Sequence, residues 1–221
     1  MVSGKANSSS RGRDSARQEP RRQRGEKRAK PPLDETALRD LALSYVARFA
    51  STSARLEGYL VRKLKERGVA EGGDARSAAI DIPALVARLV ELGYVDDAAY
   101  ARMRARDLGA RGYGAARVEQ ALWAAGVGEG IRADTAPGEA ARRRAAVLMA
   151  QKRRLGPFGA GREPSADPLV NRKAHEKAVA AMLRAGHDYE HARFILAAAD
   201  TGALEEWLGE AADAEGMDGS W

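Results

Sequence analysis

Apolar residues along this chain recur three or four positions apart, and no stretch alternates long enough to read as a strand. Leu38, Leu41, Ala42 and Tyr45 mark one face of a first helix, predicted over residues 38–50. Ser51-Thr52-Ser53 interrupts it and offers hydroxyls to cap a second helix. That helix carries Leu56, Leu60 and Leu64 at steps of four and stops at Gly68. After a Gly-rich loop, Asp81 and Pro83 open a third, because a proline's missing N–H costs nothing in a first turn. Leu85, Leu89 and Leu92 line its inner side up to Gly93. A fourth helix starts at Asp96 or Asp97, either of which can cap it, and is broken by Gly109 to Gly114. A fifth, Ala115 to Ala125, places Val118, Ala121, Leu122 and Ala125 on one narrow stripe before Gly126 ends it.

The pattern then falters between Gly128 and Gly138, where glycine and proline leave room only for a short or broken helix. It resumes from Glu139 to Arg154, with Ala145, Leu148 and Met149 apolar. Gly161 to Pro168 reads as loop, Asn171 to Ala185 as helix, and Asp188 as the cap of a final helix through Ala192, Ile195 and Leu196. Beyond it Leu204, Trp207 and Leu208 could seat one amphipathic turn on the body; otherwise that end is solvated.

Gly68, Gly126 and Gly186 each close a helix, and they stand 58 and 60 residues apart. Four residues before them lie Leu64, Leu122 and Met182; eight before lie Leu60, Val118 and Ala178. A matching apolar register at that period points to a three-helix unit present three times. The expected architecture is all-α, an elongated, curved array of tandem three-helix repeats with disordered termini. Its parts would be a disordered basic tail over 1–32, repeats over 33–93, 94–138 and 139–199, and an acidic tail over 200–221.

Charge sharpens this picture. The net +6 is unevenly spread: residues 1–32 hold ten Lys/Arg against three acids, while residues 200–221 hold seven acids and no basic residue. A basic body suits a polyanion, whose condensed counterions are released when its phosphates are neutralised, although the same balance also serves solubility. With no cysteine there is neither disulfide nor thiolate site, as fits a reducing compartment. No apolar run approaches the ~20 residues a membrane span needs. A cytoplasmic protein without membrane contact is the expectation.

The middle third carries a more specific signal. Leu92, Gly93, Tyr94, Asp96, Asp97, Tyr100 and Ala101 precede a basic helix; Gly114, Arg117, Val118, Leu122 and Gly126 follow it. In that order they resemble the middle repeat of the RecX family of RecA modulators. Arg153 to Gly159 (RRLGPFG) is similar to a segment of some RecX branches. The resemblance implies three-helix repeats and a regulator that binds the RecA filament on single-stranded DNA. Such a protein would inhibit recombinase, ATPase and co-protease activities in DNA repair and the SOS response. A monomer is expected, and direct contact with the DNA is left open. The broken stretch after Val127 departs from the family pattern.

Residues expected on the basic partner surface are Arg62, Lys63, Arg67, Arg106, Arg111, Arg117, Arg153, Arg154, Arg172 and Lys173. Arg111 and Arg117 stand where helix N-terminal amides would favour an anion. Arg104 shares the apolar arc of Tyr100, Met103 and Leu108, so it must snorkel, pair with Asp97 or Asp107, or face a partner. A different class of reading is a helix-turn-helix module acting directly on DNA. Gln120 is the one amide on the middle repeat's second helix, which argues weakly against base reading.

Catalytic chemistry finds no foothold in the pattern. His187 and His191 are spaced i, i+4 as for a metal, but no third ligand adjoins them. No Walker-type Gly-Lys-Ser/Thr follows a strand, Gly156 to Gly161 reads as a turn, and Asp96-Asp97 serves capping first. Neither an enzyme nor a cofactor is expected.

Overall fold

The computed structural model describes residues 31–69, 80–159 and 165–218. The predicted basic tail up to residue 30, the Gly-rich loop over 70–79 and the first half of the 161–168 loop lie outside these residues. Ten α-helices run through the described chain: α1 Glu35–Val46, α2 Ser53–Arg67, α3 Ile82–Glu91, α4 Asp97–Ala110, α5 Ala115–Trp123, α6 Glu129–Asp134, α7 Glu139–Arg153, α8 Pro168–Arg184, α9 Tyr189–Ala197 and α10 Thr201–Asp218. A 3₁₀ turn, Gly156–Gly159, follows α7. The described residues contain no strand, only a single bridge between Leu33 and Val69. The fold is all-helical.

Capping fixes where the helices begin. Asp34, Thr52, Asp81 and Asp96 each accept a hydrogen bond from a backbone N–H in the first turn of α1, α2, α3 and α4. Asp34 sets α1 off at Glu35, three residues before the predicted start at Leu38, and the helix ends at Val46 rather than Ala50. Asp188 precedes α9 as expected but makes no capping bond. Its carboxylate faces Arg142 and His191 instead, at 3.5 and 3.7 Å.

Three apolar cores result. Leu38, Leu56, Leu60, Val86 and Leu89 build the first, within α1–α3. Tyr100, Leu108, Val118, Leu122 and Val127 build the second, within α4–α6. Ala146, Met149, Met182, Ile195, Leu204 and Trp207 build the third, within α7–α10. The principal helix pairings stay within these groups, apart from α4 against α7. Two predicted inner residues are not inside: Leu92 ends α3 and is 47% exposed, and Met103 is 48% exposed. Leu92 falls past the last full turn of α3, where the chain already swings toward α4.

Past Asp200 the structure departs most from the expectation of an acidic tail. Residues 201–218 form an 18-residue helix whose Leu204, Trp207 and Ala211 are buried. Glu215 reaches the start of α7 and accepts from the Ala140 N–H at 2.9 Å. About three turns of helix, from Leu204 to Glu215, dock here, not one, because the apolar stripe meets the surface of α7 and α9.

The cores are joined end to end through their second helices. At the C-end of α5, the Ala125 carbonyl accepts from Thr52 Oγ1 at 2.5 Å, so the residue that caps α2 also ties it to α5. Asp97 seals the same junction, accepting from the Ser53 N–H at 2.8 Å and Ser53 Oγ at 2.6 Å. Arg55 Nη1 donates to Tyr100 Oη at 2.5 Å beside them. At the other end, the N–H groups of Gly114 and Ala116 donate to the carbonyls of Ala185 and Gly186 at 2.9 and 3.2 Å. Here the C-end of α8 meets the N-end of α5, opposite poles of two helix dipoles. Gly112 also accepts from buried His187, whose Nε2 lies 3.0 Å from its carbonyl. Burial holds the His187 pKa below its ordinary value, keeping a neutral ring that donates there.

Candidate functional site

The Asp-Asp pair divides its labour. Asp96 caps α4, accepting from Ala99 N–H at 2.7 Å, while Asp97 crosses to α2. Tyr100 and Ala101 point into the second core, and Gly93 and Gly126 turn the chain with positive φ at two helix ends. Val118 and Leu122 are buried, and Gly114 lies against Gly186. The family-motif residues thus serve folding and junctions, with Leu92 and Tyr94 left exposed.

The anion expected at the start of α5 is displaced. Carbonyl oxygens of α8 already satisfy amides there, and Arg117 turns to Gln120 Oε1 at 2.5 Å. Arg111 pairs with Asp107 at 2.9 Å, and the same carboxylate takes Arg104 at 3.0 Å, which resolves the Arg104 question within its own helix. Other chosen cations are also engaged: Lys63 with Glu66 and Arg172 with Glu176, while Arg67 donates to the Pro31 carbonyl. Arg62, Arg106, Arg153, Arg154 and Lys173 are exposed, without an ion pair among the described residues. The ten sit on α2, around the α4–α5 turn, at the end of α7 and at the start of α8.

One of them, Arg106, lines a groove that the sequence does not reveal. It is a cleft of about 520 Å³ where α4, the α4–α5 turn, the end of α6 and one side of α7 meet. Its walls are narrow because their residues are small: Ala105 and Gly109 on α4, Ala141 and Ala145 on α7. Val118 and Leu148 add apolar surface, and half-exposed Tyr113 stands at the turn. Arg102, Arg106 and Arg144 line it from two helices, all exposed and without an acidic partner among the described residues. Arg102 and Arg144 were missed because nothing in the local sequence brings α4 beside α7; only the folded junction does. The one signal available was negative, in that Arg102 and Arg106 point away from the buried arc of α4.

Comparison with known proteins gives the family and the fold. A family model described as RecX, second three-helix domain, matches residues 96–135. The regulatory protein RecX of Myxococcus xanthus (strain DK1622) is 32% identical over 179 residues, which span 80% of this chain and 92% of the relative. The chain belongs to the RecX family. Its fold is similar to the crystal structure of RecX from Lactobacillus salivarius, with a TM-score of 0.56 over 73% of this chain and 94% of that one, at 18% identity. In this RecX-family chain the matched segment opens at the α4 cap, Asp96, and closes at Thr135, the C-cap of α6. The short α6 is therefore part of the family's second domain.

A second polar cluster in this RecX-family chain is inward-facing. Glu139, in the first turn of α7, accepts from Arg142 Nη2, Arg143 Nε and His191 Nε2 at 2.6, 2.8 and 2.9 Å. Burial raises the Glu139 carboxyl pKa, but hydrogen bonds from Arg143 and His191, the charge of His191 and the Arg142 bond outweigh it and hold it at about 2. The folded value lies below the unfolded one, so the contribution is complete above pH 4.5 and lost as pH falls through about 2. Because the side chain is one-third exposed, the contribution is about 1–2 kcal/mol after solvent screening. Glu139→Gln is expected to lower stability by that amount at pH 7. In urea titrations the gap from the native chain should close between pH 4.5 and 2; a gap independent of pH would refute the assignment. His187 and His191 are thus occupied by Gly112 and Glu139, and no group of three or more metal-ligating side chains occurs among the described residues. No helix among them is long and apolar enough to cross a membrane.

Proposed function

We propose that this RecX-family chain regulates the RecA recombinase by binding its filament on single-stranded DNA, as a monomer and without catalysis of its own. Binding would slow filament extension or promote disassembly, lowering strand exchange, ATP hydrolysis and co-protease activity in DNA repair and the SOS response in the cytoplasm. Family membership supports the regulatory role. The observation that carries a partner-facing surface is the α4–α7 groove, where Arg102, Arg106 and Arg144 stand beside apolar walls without an acidic partner among the described residues. Unpaired arginines beside an apolar cleft are what protein interfaces are enriched in. The three helical units, 33–93, 94–138 and 139–199, would act as linked modules along a helical polymer, weak contacts reinforcing one another through effective concentration.

The test is RecA-catalysed ATP hydrolysis on single-stranded DNA with increasing amounts of this chain. Inhibition is expected well below the molar concentration of RecA. The variant R102E/R106E/R144E should need about tenfold more protein for the same effect. No inhibition at equimolar chain would overturn the reading. Inhibition that requires the DNA to be coated, and is relieved by excess DNA, would transfer the action to direct DNA binding.

A further inference from the structure

Helix α7 presents basic and apolar chemistry on two sides: one is covered by α10, and the other meets α4 across an open groove. On the first side, α10 supplies an acidic helix with an apolar stripe. Leu204 and Trp207 are buried in the third core, Arg143 Nη1 donates to the Trp207 carbonyl at 2.6 Å, and Glu210 lies 3.6 Å from the same guanidinium. The second side is turned well around the helix from the first and forms the wall of the α4–α7 groove. Ala141, Ala145 and Leu148 face that groove, with Arg144 beside them and Arg102 and Arg106 across it. Small side chains on both walls leave a slot where a bulky apolar residue can enter. Asp134 is the one carboxylate in the lining, and against it the guanidiniums of Arg102, Arg106 and Arg144 favour carboxylates flanking that residue. A single tyrosine among alanines makes a poor stacking platform, so the chemistry favours a protein segment over nucleobases.

We propose that the α4–α7 groove is a docking site for an acidic amphipathic helical segment of a protein partner. The ligand resembles α10 in chemistry: one leucine or aromatic anchor for the slot, with Glu or Asp a turn away on either side to meet the three arginines. The inference rests on the reading of this groove as partner-facing, but its test contains no recombinase, so either can fail alone.

The probe is a fluorescein-labelled synthetic peptide with the sequence of residues 200–218, titrated with the full chain and followed by anisotropy. Saturable binding is expected, weakened at least about tenfold by R102E/R106E/R144E and by replacing the peptide's acids with their amides. The charge-matched control R39E/R48E/K65E, on exposed positions of the first unit, should bind like the native chain. Equal weakening in both triple variants would overturn the proposal by reducing the effect to net charge. So would a labelled oligothymidylate that binds the groove in the peptide's place, losing affinity only in R102E/R106E/R144E while the peptide does not bind. Self-association of the native chain that R102E/R106E/R144E abolishes, seen by sedimentation, would also overturn it, making a second copy the occupant.

Discussion

Replacing Gly114 by alanine is expected to destabilise the chain by about 3 kcal/mol, at the upper end of ordinary single substitutions. A Cβ on Gly114 would fall onto the backbone of Gly186 and His187, and main chain cannot swing aside as a flexible side chain can. To fit, the C-end of α8 must retreat from the N-end of α5. That breaks the bonds from Gly114 and Ala116 to the Ala185 and Gly186 carbonyls and leaves buried groups unpaired at about 1–3 kcal/mol each. Gly186 cannot relieve the clash, because its φ of +90° and the closeness of the Arg117 backbone already bind it to glycine. Urea unfolding should show the loss, and hydrogen exchange at the Gly114 and Ala116 amides should accelerate more than in the first core. Gly58→Ala is the comparison. That glycine is exposed in α2 with open space around it, and helix propensity alone should make its replacement neutral or stabilising by up to about 1 kcal/mol. Equal stability of the two variants would mean that the α5–α8 junction does not hold the units together.

Trp207→Ala should cost as much, about 3–4 kcal/mol, from the opposite kind of site. Trp207 is 8% exposed, stacks on Phe194 with ring centroids 4.6 Å apart, and meets the edge of His191 at 5.3 Å. The Arg143 guanidinium carbon lies 4.6 Å from its ring centre. Truncation leaves a cavity between α7, α9 and α10 and strips Arg143 of its aromatic contact, while the backbone bond to the Trp207 carbonyl survives. The thermal midpoint should fall by about 6–16 °C, and limited proteolysis should cut within 201–218 before the rest of the chain. Trp207→Phe should recover part of the loss, since stacking on Phe194 remains available. A chain that unfolds at the native temperature after truncation would show α10 to be an appendage rather than part of the third core.

Both sites explain what could and could not be read in advance. The helices were legible because caps and glycine stops act locally: Thr52, Asp81 and Asp96 each accept from the amide three residues on, and Gly68, Gly126 and Gly186 end their helices with positive φ. Buried stripes such as Val118, Leu122 and Ala125 were legible for the same reason, since period alone assigns a helix face. The acidic end misled because its seven acids, with no basic residue among them, read as a solvated tail. Leu204, Trp207 and Ala211 matter only once α7 and α9 supply a surface for them. The basic residues could be named from the sequence, but not which of them stand together or already hold a partner. A charge's partner is often its neighbour in space: Arg111 and Arg104 share Asp107, and Arg117 turns to Gln120. Arg102 and Arg144, sequence-distant and unpaired, converge across the groove.

By itself, then, the sequence determined the helical class, the place of most helix starts and stops, the repeat of three and the resemblance that family membership confirms. These follow from forces acting over one or two turns, namely hydrogen-bond caps, backbone freedom at glycine and the burial of one helix face. Tertiary structure alone decided that Asp97 ties α4 to α2, that α8 occupies the amides once expected to hold an anion, that the acidic end folds onto α7, and that three arginines meet at one cleft. Each depends on groups tens of residues apart reaching hydrogen-bonding or van der Waals distance, and only the packed chain fixes such distances.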